Sequence, residues 1–282
     1  MSGEREPNGG PATDGGPATD GGQPSGGGPA TGGGPSLLVE EGADRVVWRL
    51  NRPEVRNAID RDLVRALHDA CATVEADPKV VLIIGEGGTF AAGADIAQLR
   101  ERGRDDALRG INSKIFDRIH KLPMPTIGLL DGYALGGGAE LAYACDFRIG
   151  TPRTRLGNPE TGLGILAAAG AAWRLAELVG EPLAKEILLA GRVLTAEEAQ
   201  SVHLLNEVVQ PGDLLATGHL LADRIAAQAP LATRLMKAVF HAPRDAHPFV
   251  DDVAQAVLFE TEEKHARMTA FLDRRNRKEG HR

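Results

Sequence analysis

The sequence predicts an α/β fold that closes in an all-helical C-terminal region, and three observations carry the prediction. Two short β-rich runs, Leu37–Glu40 and Arg45–Leu50, flank the turn-like Glu41-Gly42-Ala43-Asp44 and read as a hairpin. Two continuous apolar runs, Val80–Ile84 and Thr126–Leu130, alternate with helix-period segments, as strands covered on both faces do. Roughly the last 70 residues read as helix after helix.

Each element follows from its residues. Asp60 can cap a helix running to Ala76 whose one face carries Leu63, Val64, Leu67, Cys71 and Val74. After Asp77-Pro78 the Val80 strand runs to Gly85, and helices start near Asp95 and Arg104. The Thr126 strand leads through Asp131-Gly132 to a helix from Gly137. Arg148-Ile149-Gly150 is a further strand, and helices follow near Ala168 and after Glu181-Pro182. Thr195-Ala196-Glu197-Glu198 has capping-box spacing. His120 and His203 read as ordinary polar residues of helices.

The beginning of the chain has a different texture. Residues 1–35 contain 13 of the 35 Gly and 6 of the 17 Pro, with no Val, Ile, Leu, Phe, Tyr or Trp, so they lack the means to form a core and are expected to be a disordered tail. Residues 36–282 are expected to form one catalytic domain, with a core over about 36–200 and a helical region over about 201–282.

Composition excludes several function classes. A net charge of −7 disfavours wholesale binding to nucleic acid. Two cysteines cannot build a disulfide framework, and no apolar stretch approaches the ~18 residues of a membrane span. The expected setting is cytoplasmic. The Rossmann fingerprint fails at Leu141, where its third Gly belongs, and no Walker A, G-x-S-x-G or H-E-x-x-H motif is present. No metal site or redox cofactor is expected.

Two segments concentrate chemistry. Phe90-Ala91-Ala92-Gly93-Ala94-Asp95-Ile96 follows a buried strand and precedes a helix, with Asp95 placed as its N-cap. Asp131 to Ala142, reading DGYALGGGAELA, repeats the pattern. A strand-to-helix turn leaves N–H groups unpaired at the positive end of the helix dipole, so two such turns can supply two converging donors for an oxyanion. Glu140 stands in an otherwise apolar first turn, which implies burial, and a buried carboxylate must be paired, protonated or functional. Glu160 lies in a Gly/Pro loop that, taken alone, would leave it exposed. Facing an oxyanion hole, the two carboxylates would form an acid/base pair for carbonyl-activated chemistry.

At these residues the chain resembles the crotonase superfamily, the enoyl-CoA hydratase/isomerase family. The resemblance runs through Asn51-Arg52-Pro53, Asn57-Ala58, the Phe90–Ile96 and Gly132–Ala142 segments, Cys145-Asp146 and Pro159-Glu160. It implies a spiral of ββα turns with a C-terminal helical region, assembled as a homotrimer or a dimer of trimers. It implies that the amides of Ala94 and Gly137 hold a thioester oxygen while Glu140 and Glu160 add water across the 2,3 double bond of a trans-2-enoyl-CoA. Glu160 is favoured as proton donor to C2 and Glu140 as the water-activating partner. Coenzyme A enters as part of the substrate, with no separate cofactor. Ala92, Asp95, Ile96 and Gly136 belong to the substrate-binding segments, Arg56 is a candidate for the coenzyme's phosphates, and Phe271 and Lys278 match residues that cover its nucleotide. Arg274, Arg275, Arg277 and Lys278 read equally as a solvated basic end.

The chain departs from the family pattern in Ala167-Ala168-Ala169-Gly170-Ala171-Ala172-Trp173-Arg174-Leu175, where a Pro and two glycines are missing. Gly170 or Ala171 is expected to keep an N–H that positions the water. Trp173 is either a core residue of a helix or a wall of the acyl pocket. Ala97 stands where a lysine is common, and Ala266-Arg267 replaces a Glu-Gly pair, favouring unbroken helix. The rival readings are a Δ3,Δ2-enoyl-CoA isomerase or other crotonase-type lyase, and a binding relative without turnover.

Overall fold

The computed structural model describes residues 34–279, with side chains up to Arg277. The tail expected over 1–35 thus lies almost wholly outside the described residues. So does the Lys278 side chain.

The chain opens with an antiparallel hairpin, β1 (Leu37–Glu41) and β2 (Arg45–Leu50). Helix α1 (Arg61–Ala76) follows, with Asp60 accepting the Leu63 N–H at 2.8 Å and all five expected apolar residues buried. Strand β3 (Val80–Gly85) pairs parallel to β2, and α2 (Ile96–Arg100), α3 (Arg104–Arg109) and α4 (Ile111–His120) lead to β4 (Thr126–Leu130). Next come β5 (Tyr133–Leu135), α5 (Gly137–Ala144), β6 (Phe147–Gly150) and β7 (Arg155–Gly157). Helices α6 (Ala171–Val179) and α7 (Glu181–Ala190), strand β8 (Val193–Thr195), helix α8 (Ala196–Ser201) and strand β9 (Glu207–Val208) complete the core. The remainder is helical: α9 (Leu214–Ala226), α10 (Pro230–Phe240), α11 (Phe249–Phe259) and α12 (Glu262–Glu279), the last unbroken through Ala266-Arg267.

Two sheets organise these elements, one in the order β1-β2-β3-β4-β6-β9 and one in the order β5-β7-β8. The chain passes from the first to the second twice in the same way, β4 into β5 and β6 into β7, and then enters helical structure. A bridge between Ala91 and Ala134 adds the segment after β3 to the small sheet in parallel. The repeating unit is therefore strand, short second strand, helix, as the ββα expectation required.

The Val80 and Thr126 runs are continuously apolar because helices cover both faces of the large sheet. Val80, Leu82, Ile127 and Leu129 pack with Leu214, Ala222 and Ile225 of α9, while Val81, Ile83 and Leu130 join the cluster that includes Leu63, Leu67, Phe116 and Leu141. Gly218 lets α9 approach this sheet, since a Cβ there would stand 2.8 Å from a Leu129 methyl.

Two sequence expectations need correction. The helix expected from Ala168 starts at Ala171, because Gly170 adopts φ 138 and turns the chain. The helix expected near Arg104 does start there, and Gly110, in the left-handed conformation, separates it from α4. His203 lies past the end of α8 at φ 59, in an exposed turn, whereas His120 does end α4, where burial pushes its pKa down to about 4.

Candidate active site

The two chemistry-bearing turns are stitched to one another. Phe90 donates its N–H to Asp131 O at 2.8 Å, Ala91 to Tyr133 O at 3.0 Å, and Leu135 returns a bond to Ala91 O at 3.1 Å. Gly136 at φ 53, ψ −125 and Gly93 at φ 117 supply backbone conformations that side chains disfavour. A Cβ built on Gly137 would stand 3.6 Å from the Ala94 nitrogen, so the two amides are neighbours. Gly137 heads α5, where an N–H has no acceptor within the helix, and no backbone carbonyl of the described residues takes the Ala94 N–H. Two free donors thus meet at the start of a helix, where negative charge is favoured.

Glu140, in the first turn of α5, is 3% exposed. Its Oε1 accepts the main-chain N–H of Ala169 at 2.7 Å and of Ala171 at 3.1 Å. Burial pushes its pKa up to about 7; the two amides and the Arg174 charge oppose the shift, and Glu160 adds to it. The altered 167–175 loop therefore keeps its N–H groups, but directs those of Ala169 and Ala171 to the Glu140 carboxylate. Arg174 is itself buried and donates through Nη2 to Asp117 at 3.2 Å, while its Nε and Nη1 have no partner.

Glu160, which its loop alone would leave exposed, is 8% exposed. It sits in a short 3-10 helix, Pro159–Leu163, entered from β7. Asn158 Nδ2 donates to Glu160 Oε1 at 3.4 Å and to Gly136 O at 3.3 Å, and Asn158 Oδ1 accepts the Tyr143 hydroxyl at 3.1 Å. Glu160 Oε2 is buried without a partner. Burial raises its pKa too. A carboxyl so placed holds a proton more firmly than an exposed one, and its unpaired oxygen is free to meet a ligand.

Ala94, Gly137, Glu140 and Glu160 all line one cavity of about 420 Å³. Its apolar wall includes Leu99, Ala107, Ile111, Ile165 and Leu166; its polar wall includes Arg102, Asp106 and Asn112. An enclosure with amide donors, two carboxyls of raised pKa and a hydrocarbon wall can bind a carbonyl compound, stabilise charge on its oxygen and move protons at its carbons.

The other expected site residues fall elsewhere. Asp95 is the N-cap of α2, accepting the Gln98 N–H at 3.0 Å. Ala92 holds the Arg56 carbonyl through its N–H at 3.0 Å, and Ile96 is 59% exposed. Gly136 touches the site through its backbone: a Cβ there would stand 3.2 Å from Glu160 Oε1. Arg56, at φ 53, is exposed, as is Phe271 on α12, and neither lines the cavity. Trp173 corrects both of its readings, being 48% exposed on α6 and absent from the cavity wall. The buried face of α6 carries Ala171, Arg174 and Leu175, and Trp173 lies off that face.

Sequence reasoning missed Asn158, Ala169, Asn112 and Arg102. Asn158 belongs to the same loop as Glu160, and its signal is its place two residues before that candidate carboxylate. Asn112 and Arg102 carry buried polar atoms without partners, a property that only the assembled cavity reveals.

Known proteins agree with this architecture. The enoyl-CoA hydratase/isomerase family matches residues 42–279. Crotonyl-CoA hydratase of Syntrophomonas wolfei is 36% identical over 249 residues, 85% of this chain and 96% of that protein. Short-chain-enoyl-CoA hydratase of Clostridium acetobutylicum is 35% identical over 250 residues, 85% of this chain and 95% of that protein. The crystal structure of enoyl-CoA hydratase from Bacillus anthracis superposes with a TM-score of 0.80 at 28% identity, covering 85% of this chain and 96% of that one.

Proposed function

This chain belongs to the enoyl-CoA hydratase/isomerase family, and from that premise we propose that it adds water across the 2,3 double bond of a trans-2-enoyl-CoA to give a 3-hydroxyacyl-CoA. One observation carries the reading: both carboxyls and both free amides line a single cavity. The Ala94 and Gly137 amides hold the thioester oxygen, which makes C3 electrophilic and accommodates negative charge as it develops. Glu140 accepts a proton from water as the hydroxide adds to C3. Its Oε1 is held by Ala169 and Ala171, leaving Oε2 for the water. Glu160, steadied by Asn158, delivers its proton to C2. Passage of a proton from Glu140 back to Glu160 restores the pair, so the net reaction consumes one water.

Coenzyme A is part of this substrate, and no separate cofactor is proposed. We also propose a homotrimer or a dimer of trimers. Phe249, Val253 and Val257 recur every fourth residue along α11 and are each about half exposed or more, an apolar stripe suited to a second copy. Cytoplasmic residence is part of the same proposal; no helix among the described residues is long and apolar enough to cross a membrane.

Loss of enoyl-thioester ultraviolet absorbance on mixing enzyme with crotonyl-CoA tests the reaction. Turnover of a 3-enoyl-CoA with no hydration of any 2-enoyl-CoA would transfer the site to the isomerases.

A further inference from the structure

Arg102 stands just past α2, in the connection to α3, and lines the cavity that holds Glu140 and Glu160. Its Nε and Nη2 are buried and have no hydrogen-bond partner. These two nitrogens form one edge of the guanidinium, the fork that receives a carboxylate through two parallel bonds.

The neighbouring acids do not fill it. Asp106 Oδ1 accepts from Arg61 at 2.9 Å, and Asp106 Oδ2 accepts the Gly103 N–H at 3.3 Å. Asp95 Oδ1 caps α2, and Asp95 Oδ2 lies 3.8 Å from Arg52. Burial and the nearby Arg61 charge both disfavour the Arg102 cation, with Asp95 and Asp106 only partly offsetting them. A guanidinium left unpaired in such a place costs stability, and a ligand that brings the counter-charge removes that cost.

We propose that Arg102 receives a carboxylate at the far end of the acyl chain, so that the preferred substrates are 2-enoyl-CoA thioesters bearing a terminal carboxyl group. This role for Arg102 rests on hydration being the reaction. Arg102 shares one enclosure with the reacting groups, and the apolar residues Leu99, Ala107, Ile111 and Ile165 line it with them, a setting for the methylenes between the two ends. In a coenzyme A thioester the pantetheine arm separates the phosphates from the thioester, whereas Arg102 lines the same cavity as Glu140 and Glu160. An anion meeting Arg102 inside it is therefore carried by the acyl group.

The test compares kcat/KM for trans-2-hexenoyl-CoA and for the same thioester carrying a carboxylate in place of the terminal methyl group. Chains one carbon shorter and two longer are run alongside, in the wild type, Arg102→Gln and Arg102→Lys. The carboxylated substrate should be preferred by about tenfold or more at one chain length in the wild type. That ratio should collapse in Arg102→Gln and recover in part in Arg102→Lys. Equal turnover of both substrates by the wild type at every length overturns the proposal without any variant having to fold. An equal loss on both substrates in Arg102→Gln also overturns it, assigning Arg102 to the coenzyme instead. Hydration of neither substrate, nor of crotonyl-CoA, defeats the proposed reaction itself.

Discussion

The main-chain N–H of Ala169 lies 2.7 Å from Oε1 of Glu140, joining the loop ahead of α6 to the first turn of α5. With the Ala171 N–H on the same oxygen, this contact fixes the carboxylate while burial holds its pKa near 7. The proposed base is thus oriented by backbone and made basic by its surroundings.

Glu140→Gln and Glu160→Gln should each lower hydration of crotonyl-CoA by about a hundredfold or more, because a positioned acid or base contributes ~10²–10⁴ in rate. Binding of the product thioester, followed by calorimetry, should persist in both. A rate near wild type in either variant removes that residue from the mechanism.

The pH dependence has a definite form. Glu140 must be ionised to accept a proton from water and Glu160 protonated to deliver one, so kcat/KM should rise with pH as Glu140 ionises and fall again as Glu160 loses its proton, a bell rather than a plateau. Stability should run against the rising limb. A carboxyl whose folded pKa exceeds its ordinary value of 4.5 favours the folded state most below that value, and the contribution is lost as pH rises through 7. Glu140→Gln should therefore raise the melting temperature relative to wild type at about pH 8, with the gain shrinking toward about pH 4. Thermal scans across that range check it; a variant less stable than wild type at the upper end contradicts the burial argument.

Gly170 sits between the two amides that hold Glu140, at φ 138, and a Cβ there would collide with Nη1 of Arg174. Gly170→Val should displace those amides. The acidic limb of the kcat/KM profile should move to higher pH, because two influences that lower the Glu140 pKa are weakened. An unchanged pH profile would show that the loop does not tune the carboxylate.

Asn158 links Glu160 to Tyr143. Asn158→Ala should lower kcat about tenfold or more with a smaller change in KM, since Glu160 loses its orientation while the apolar wall remains. A change confined to KM would argue that Asn158 supports binding alone.

On α11, Val253→Glu places a charge in the middle of the exposed apolar stripe. Sedimentation should show wild type as trimers or hexamers and the variant shifted toward monomers. Monomeric wild type at assay concentration contradicts the assembly proposal.

Much of this molecule was legible in the order of its residues, for identifiable reasons. Asp60 with its spaced apolar partners specified α1, and the continuous Val80 and Thr126 runs marked strands covered on both faces. Glycines before Ala94 and Gly137 marked the turns that free two amides. The small sheet escaped because its strands, Tyr133–Leu135, Arg155–Gly157 and Val193–Thr195, are too short for periodicity to register. The start of α6 was misread because Ala167 to Ala172 is nearly all alanine, and only Gly170's conformation separates loop from helix. Arg102 stands on the short connection between α2 and α3, where nothing in the local pattern marks its Nε and Nη2 as buried. Burial of a polar group on a short connection depends on distant segments, and local pattern does not encode it.

The central claim is that this cavity adds the elements of water to an enoyl thioester. Incubation of crotonyl-CoA with the enzyme in ¹⁸O-labelled heavy water, followed by mass spectrometry, tests it directly. The account predicts a 3-hydroxybutyryl-CoA carrying one ¹⁸O at C3 and one deuterium at C2, with the rate of labelling lowered about a hundredfold or more in Glu140→Gln. A thioester product that takes up deuterium without ¹⁸O, or a wild-type enzyme that leaves crotonyl-CoA unlabelled, would contradict it.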